Sequence, residues 1–114
     1  MTLQERLDRI AAVLDRNKAE DIETFDLEES GYMANGVVIA TALADRHLNA
    51  LVDFIKEDLK PAGEQFLNAD GNEEWIALDL GDILVHIMTK TAREKYHMEA
   101  FLEEFEAKKA REEA

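Results

Sequence analysis

Leu3, Leu7, Ile10 and Leu14 recur at intervals of four, three and four residues, so the chain opens with an amphipathic helix bearing one narrow apolar stripe. Asn17 or the residues just after it end this helix. Asp21 to Leu27 reads as a strand, and Glu28-Glu29-Ser30-Gly31 as the turn behind it. Val37-Val38-Ile39-Ala40-Thr41 is an unbroken, largely β-branched run, the mark of a central strand buried on both faces. A second helix, with Asp45 as its N-cap, aligns Leu48, Leu51, Val52, Ile55 and Leu59 before Pro61-Ala62-Gly63 stops it. Phe66-Leu67 reads as a short strand and Asn68 to Asn72 as polar loop. A last helix gathers Met98, Phe101, Leu102 and Phe105 on one side, and from Glu103 onward its turns become charge-dense and are expected to be exposed.

The stretch from Glu74 to Met88 predicts a hairpin hinged on Leu80-Gly81, since glycine tolerates the positive φ that tight turns need. A two-residue loop there sets Asp79 opposite Asp82, Leu78 opposite Ile83, Ala77 opposite Leu84, Ile76 opposite Val85 and Trp75 opposite His86. Strand side chains alternate, so the hairpin sorts into two unlike surfaces. One holds Ile76, Leu78, Ile83, Val85 and Ile87 and is the core side. The other mixes Trp75, Ala77, Asp79, Asp82, Leu84, His86 and Met88, the composition of a contact surface. Leu80 is expected to project at the tip, where it could join Trp75 and Tyr96 in an apolar patch.

The order helix, strand, strand, helix, three strands, helix defines an α+β domain with a mixed β-sheet and flanking helices. Strand 37–41, the second helix and a return strand near 66 make one right-handed crossover. The 114 residues suffice for one core and not for two. We divide them into a domain over 1–102 and a charged helical C-terminal extension over 103–114.

Charge narrows the partners. Thirteen Lys+Arg against 26 Asp+Glu leave a formal charge of −13, which repels phosphate backbones and disfavours nucleic acid as the main ligand. The same surface attracts basic proteins, although solubility alone also accounts for an acidic excess. With no cysteine, a thiolate metal site is excluded. No apolar run approaches a membrane span and the first residues enter a charged helix directly, so a cytoplasmic protein without membrane contact is expected.

Asp79 and Asp82 admit three readings. They could hold a divalent metal with His86 as third ligand or base, as in a metal-dependent nucleotidyl or phosphoryl transferase. They could meet a Lys or Arg of a basic partner. Asp79 could also simply cap backbone N–H groups of its turn. Trp75 is either a core aromatic with its N–H satisfied or an interface anchor. Against catalysis, the turn after the central strand is Thr41-Ala42-Leu43-Ala44, without the Gly-Ser pair that cradles phosphates, and no Gly-rich loop or nucleophile elbow occurs.

Four blocks resemble the ribosomal silencing factors, the Iojap-like RsfS family: Lys18 to Leu27, Val38 to Thr41 with Arg46-His47 and Ala50-Leu51, Glu74 to Met88, and Arg93, Tyr96 and Glu99. The likeness runs in order over roughly residues 3 to 102. Departures fall at Asn35-Gly36-Val37, where the family usually has Asp-Tyr-Phe, at Ala42 and Ala44, and at Leu102 in place of a terminal Trp. The resemblance implies a nucleotidyltransferase-like fold without the catalytic set, no cofactor, and a homodimer when free. It further implies binding to the large ribosomal subunit through its basic ribosomal protein L-fourteen, which blocks an intersubunit bridge and represses translation. For this chain the partner-binding residues expected are Trp75, Asp79, Leu80, Asp82, His86, Met88 and Tyr96.

Overall fold

In a computed structural model, which describes residues 1–113, the chain folds as α1 (Leu3–Arg16), β1 (Glu20–Asp26), β2 (Gly36–Ala42), α2 (Asp45–Leu59), β3 (Asn68–Gly71), β4 (Trp75–Asp79), β5 (Ile83–Thr89), α3 (Lys90–Tyr96) and α4 (Met98–Glu113). Residue 114, the last of the expected extension, lies outside the described residues. The strands form a mixed sheet in the order β1-β2-β5-β4-β3, with β2 and β5 parallel and the other pairs antiparallel.

Helix α1 starts on a capping box in which Thr2 Oγ1 accepts from Glu5 N–H and the Glu5 carboxylate accepts from Thr2 N–H. Its stripe, Leu7, Ile10, Val13 and Leu14, merges with Leu48, Leu51, Val52, Ile55 and Leu59 of α2 over one face of the sheet. That face supplies Val38, Ala40, Leu78, Val85 and Ile87. On the opposite face Phe25, Val37, Ile39 and Met88 pack against Ala92 of α3 and Leu102 of α4. Every residue of β2 is buried, as a strand covered on both sides requires.

Three expectations need correction. Asp45 is the first residue of α2 and not its cap; the cap position is Ala44, which has no side chain to bond the orphan amides. In the first turn Arg46 N–H donates to Asp45 Oδ1 at 2.8 Å, and His47 ties down the approach to the helix, its Nδ1 accepting from Leu43 N–H at 2.9 Å while Nε2 reaches Asn17 C=O at 2.8 Å. The strand expected at Phe66-Leu67 lies instead at Asn68–Gly71, in the stretch read as loop; β4 supplies its hydrogen bonds and no helix covers it, so it carries no hydrophobic pattern. It runs in the direction of β2 but at the far edge, with β5 and β4 between them, so the crossover through α2 spans two strands. The expected last helix is α4, but a short helix absent from the expected order, α3, precedes it and ends at His97, whose left-handed φ of 47° separates the two. Position 102 falls inside α4, with Leu102 fully buried.

Candidate interaction face

The hairpin turns one residue later than counting predicts. Trp75 faces Met88, Ile76 faces Ile87, Ala77 faces His86, Leu78 faces Val85 and Asp79 faces Leu84. Leu80 N–H donates to Ile83 C=O at 2.9 Å, so the turn is Leu80-Gly81-Asp82-Ile83 with Gly81 at φ +92° in its first central position. The pairing slips by two residues from the expected register, and a slip of two leaves every side chain within the strands on its original face, while Asp82 moves into the turn and reaches Arg6 of α1 on the core side. The division into an aliphatic core side and a mixed side therefore stands for the strands, while each cross-strand partner changes.

Leu80 changes most. In the observed register it continues the Ile76–Leu78 row, is 6% exposed, and packs in the core with Ile83. The expected apolar tip does not exist, because the turn begins one residue later and draws Leu80 inward. Asp79 and Asp82 are likewise not paired across the strands. Asp79 Oδ1 accepts from Gly81 N–H at 2.8 Å, which is turn chemistry. Asp82 forms a two-pronged ion pair with Arg6 of α1, at 2.6 and 3.0 Å. Arg6 also grips Glu64, in the loop after α2, at 2.7 and 2.8 Å. The Arg6 guanidinium holds the Asp82 carboxyl below its ordinary range. The cation that Asp82 requires thus comes from inside the chain, a pairing 76 residues apart that no local pattern could reveal.

On the mixed face, the Asn72 side chain accepts from Glu74 N–H and Trp75 N–H, fixing the turn that presents Trp75. The indole is half-buried. Its Nε1–H donates to His86 Nδ1 at 3.0 Å, and its ring lies 5.0 Å from that of Tyr96 at an angle of 47°. Because Nδ1 accepts, the proton of the neutral ring sits on Nε2, which is buried without a partner. Burial pushes the imidazole down to about 4. His86 and Met88, expected as contacts, are 5% and 0% exposed. They form the floor beneath Trp75 and reach no surface as the fold stands. Tyr96 is 47% exposed, and Ala77, Asp79 and Leu84 are half-buried along the same side of the hairpin toward its turn. The face is an aromatic pair on a small apolar shelf with carboxylates at its edge.

The arrangement does not assemble the metal site weighed from sequence. Asp79 is committed to its turn and Asp82 to Arg6, and the one free nitrogen position of His86 carries a buried proton. Among the described residues no three acidic or histidine side chains converge as metal ligands. Sequence reasoning also missed what Arg93 does. Its guanidinium, 8% exposed, donates to Thr41 Oγ1 and Glu23 Oε2 at 3.0 Å each and to the Asp21 carbonyl. It thereby ties α3 to the irregular start of β1, where the ladder shifts between Glu20 and Glu23.

The class defined by the fold is an α+β domain whose mixed sheet carries the Trp75–Tyr96 aromatic pair on one face. Comparison with known proteins places it further: residues 1–114 match the family described as ribosomal silencing factor during starvation, and the chain belongs to that family. It is 34% identical over 88 residues to the ribosomal silencing factor RsfS of Haemophilus influenzae, covering 75% of this chain and 86% of that protein. The crystal structure of a Chromobacterium violaceum protein superposes with a TM-score of 0.81 at 30% identity, covering 90% of this chain and 87% of the other. A more distant relative is the mouse mitochondrial assembly of ribosomal large subunit protein 1, 24% identical over 82% of this chain and 43% of that protein. The family is thus regulatory by description and associated with the ribosome.

Proposed function

We propose that this protein silences ribosomes by binding the large subunit through its ribosomal protein L-fourteen, so that the domain occupies the place of an intersubunit bridge and the small subunit cannot join. The observation that carries this reading is the half-buried indole of Trp75 tilted against exposed Tyr96, where α3 ends beside the sheet. Aromatic anchors of this kind dominate interface energies, and their truncation costs about 2 kcal/mol or more. Asp79 at the rim meets lysines or arginines of the partner, with the acidic surface of the chain steering approach. His86, Met88 and Leu80 act from beneath, by holding Trp75 and the hairpin, and Asp82 acts through Arg6. No cofactor takes part.

Within the same reading, the free protein is a cytoplasmic homodimer that buries the aromatic face until a large subunit competes for it. Residues 1–102 carry the binding activity, and the extension over 103–114 is accessory. Membership of a ribosome-silencing family supports the proposal, as does the relative whose name refers to large-subunit assembly. The test is sedimentation of the purified protein with separated subunits. Wild type should travel with large subunits and prevent joining, whereas Trp75→Ala should stay at the top of the gradient. Undiminished co-sedimentation and inhibition by a folded Trp75→Ala protein overturn the reading.

A further inference from the structure

Strand β3 ends the sheet, bonded to β4 on one side only. Asn72 N–H donates to Trp75 C=O at 3.0 Å, which makes these two the hydrogen-bonded pair beside the turn. Such pairs alternate along an antiparallel ladder, so Asp70 faces Ala77 through its amide while Ala69 and Gly71 turn their N–H and C=O groups off the sheet. Gly71 confirms the orientation. A Cβ there would lie 2.7 Å from Ile76 Cα, so it is the glycine hydrogens and not the amide that face β4.

Natural sheets blunt an open edge with lysine, proline or a covering element. Here the strand is only four residues long and carries the charge of Asp70, but it has no lysine or proline, and Asn68-Ala69-Asp70-Gly71 is exposed throughout. Beside it, between β3 and α2, runs a groove of about 810 Å³. Val52, Ala69 and Ile76 give it apolar ground, Glu73 and Glu74 give it negative charge, Asp70 borders it at the strand edge with its side chain on the Ala77 side, and among the described residues no lysine or arginine lines it. Ala69 pairs with Leu78, a residue of the core beneath the helices, so the groove lies on the helix side of the sheet, opposite Trp75.

We propose that this edge takes an extended, lysine- or arginine-bearing segment of another protein as an added strand. The segment bonds the outward amides and carbonyls of Ala69 and Gly71 and seats alternate side chains against Val52 and Ile76. Its cations lie beside Asp70, Glu73 and Glu74. Main-chain pairing of this kind supplies affinity and the alternate side chains supply selectivity. A second copy of this chain is a poor occupant, because each copy presents the same acids at its edge and a formal charge of −13. The surface is separate from the aromatic face, and the inference stands whether or not that face binds a ribosomal protein.

The probe is an acetylated and amidated Thr-Lys-Val-Lys-Val-Lys-Thr peptide titrated into the isotope-labelled full chain. Amide resonances of Ala69 and Gly71 should shift and their hydrogen exchange should slow, while a peptide with Glu in place of Lys leaves them unmoved. Ala69→Pro removes an N–H that β4 does not use, which edge strands tolerate, and should weaken binding about tenfold. A combined Asp70→Asn, Glu73→Gln and Glu74→Gln variant should also bind more weakly and lose the salt dependence, and it reports even if the proline variant fails to fold. The proposal is overturned if millimolar peptide leaves Ala69 and Gly71 unshifted, or if both variants bind as wild type does. Protection of these amides that rises with protein concentration in the absence of peptide overturns it as well, since the occupant is then a second copy.

Discussion

The indole N–H of Trp75 is spent on the buried Nδ1 of His86, 3.0 Å away, so a half-exposed aromatic ring is oriented by an almost fully buried one. The bond requires a neutral imidazole, and burial lowers the folded ring to about 4. In the unfolded chain the ring titrates near an ordinary value of about 6.5. Between those values the unfolded state binds more protons, so stability falls as pH falls. The loss begins near 6.5 and is complete near 4, reaching about 3 kcal/mol from this group. Urea denaturation from pH 7.5 to 4 should show the decline, and His86→Gln should flatten it. The indole proton resonance of Trp75 should move in the variant; an unmoved resonance would show that the bond is not made in solution.

Arg6 joins three segments that are far apart in sequence: α1, the loop after α2 through Glu64, and the hairpin turn through Asp82. Removing the cation leaves two facing carboxylates with no partner. Arg6→Ala should therefore lower stability by about 2 kcal/mol, with Arg6→Lys recovering only part because an ammonium cannot bond both carboxylates bidentately. Asp82 titrates below its ordinary range because of Arg6. Its contribution is present above the unfolded carboxylate value and is lost as pH falls through the lowered folded one. Denaturation midpoints for the Arg6 variants, measured at neutral pH and near pH 3, check both statements.

Leu80 offers a sharp contrast between its sequence and structural readings. As an exposed tip residue it would tolerate truncation without loss of stability. Buried with Ile83 and Leu78, Leu80→Ala should cost about 3 kcal/mol through lost transfer and a residual cavity. Any loss of partner binding should then follow the unfolded fraction and vanish on cooling or with added osmolyte. Equilibrium unfolding beside a binding assay separates the two.

What was legible and what was not follows from range. The stripe Leu7–Ile10–Leu14, the run Val37–Thr41 and the aliphatic side of the hairpin depend on neighbours within a few residues, and each is found where its period places it. The face of Trp75 survived a two-residue register error because side-chain parity did. The turn itself was misplaced because Leu80-Gly81 and Gly81-Asp82 offer the same glycine to two hinges, and the packing of Leu80 decides between them. Strand β3 was invisible because its sole pairing is through backbone atoms. The ion pairs of Arg6 and the bonds of Arg93 join residues 52 to 76 apart, and no window along the chain contains both ends.

Arg93 supports the last prediction. Its side chain is nearly enclosed by Thr41 at the end of β2, Glu23 and the Asp21 carbonyl in β1, and Glu99 at the start of α4, 3.7 Å from Nε. One guanidinium thus fixes the irregular strand β1 and the join between α3 and α4, on the helices that carry Tyr96 toward Trp75. Arg93→Ala strips a partner from buried Thr41 and from the half-buried carboxylates of Glu23 and Glu99 and should cost about 2 kcal/mol, with Arg93→Lys little better because the donors form a planar fork. Hydrogen exchange should report the loss first in β1 and at His97, before the core under α1 and α2 is affected. If instead every amide loses protection together, Arg93 supports the whole fold and not the placement of Tyr96. Tryptophan fluorescence at matched folded fraction then decides whether the Trp75–Tyr96 pair has opened.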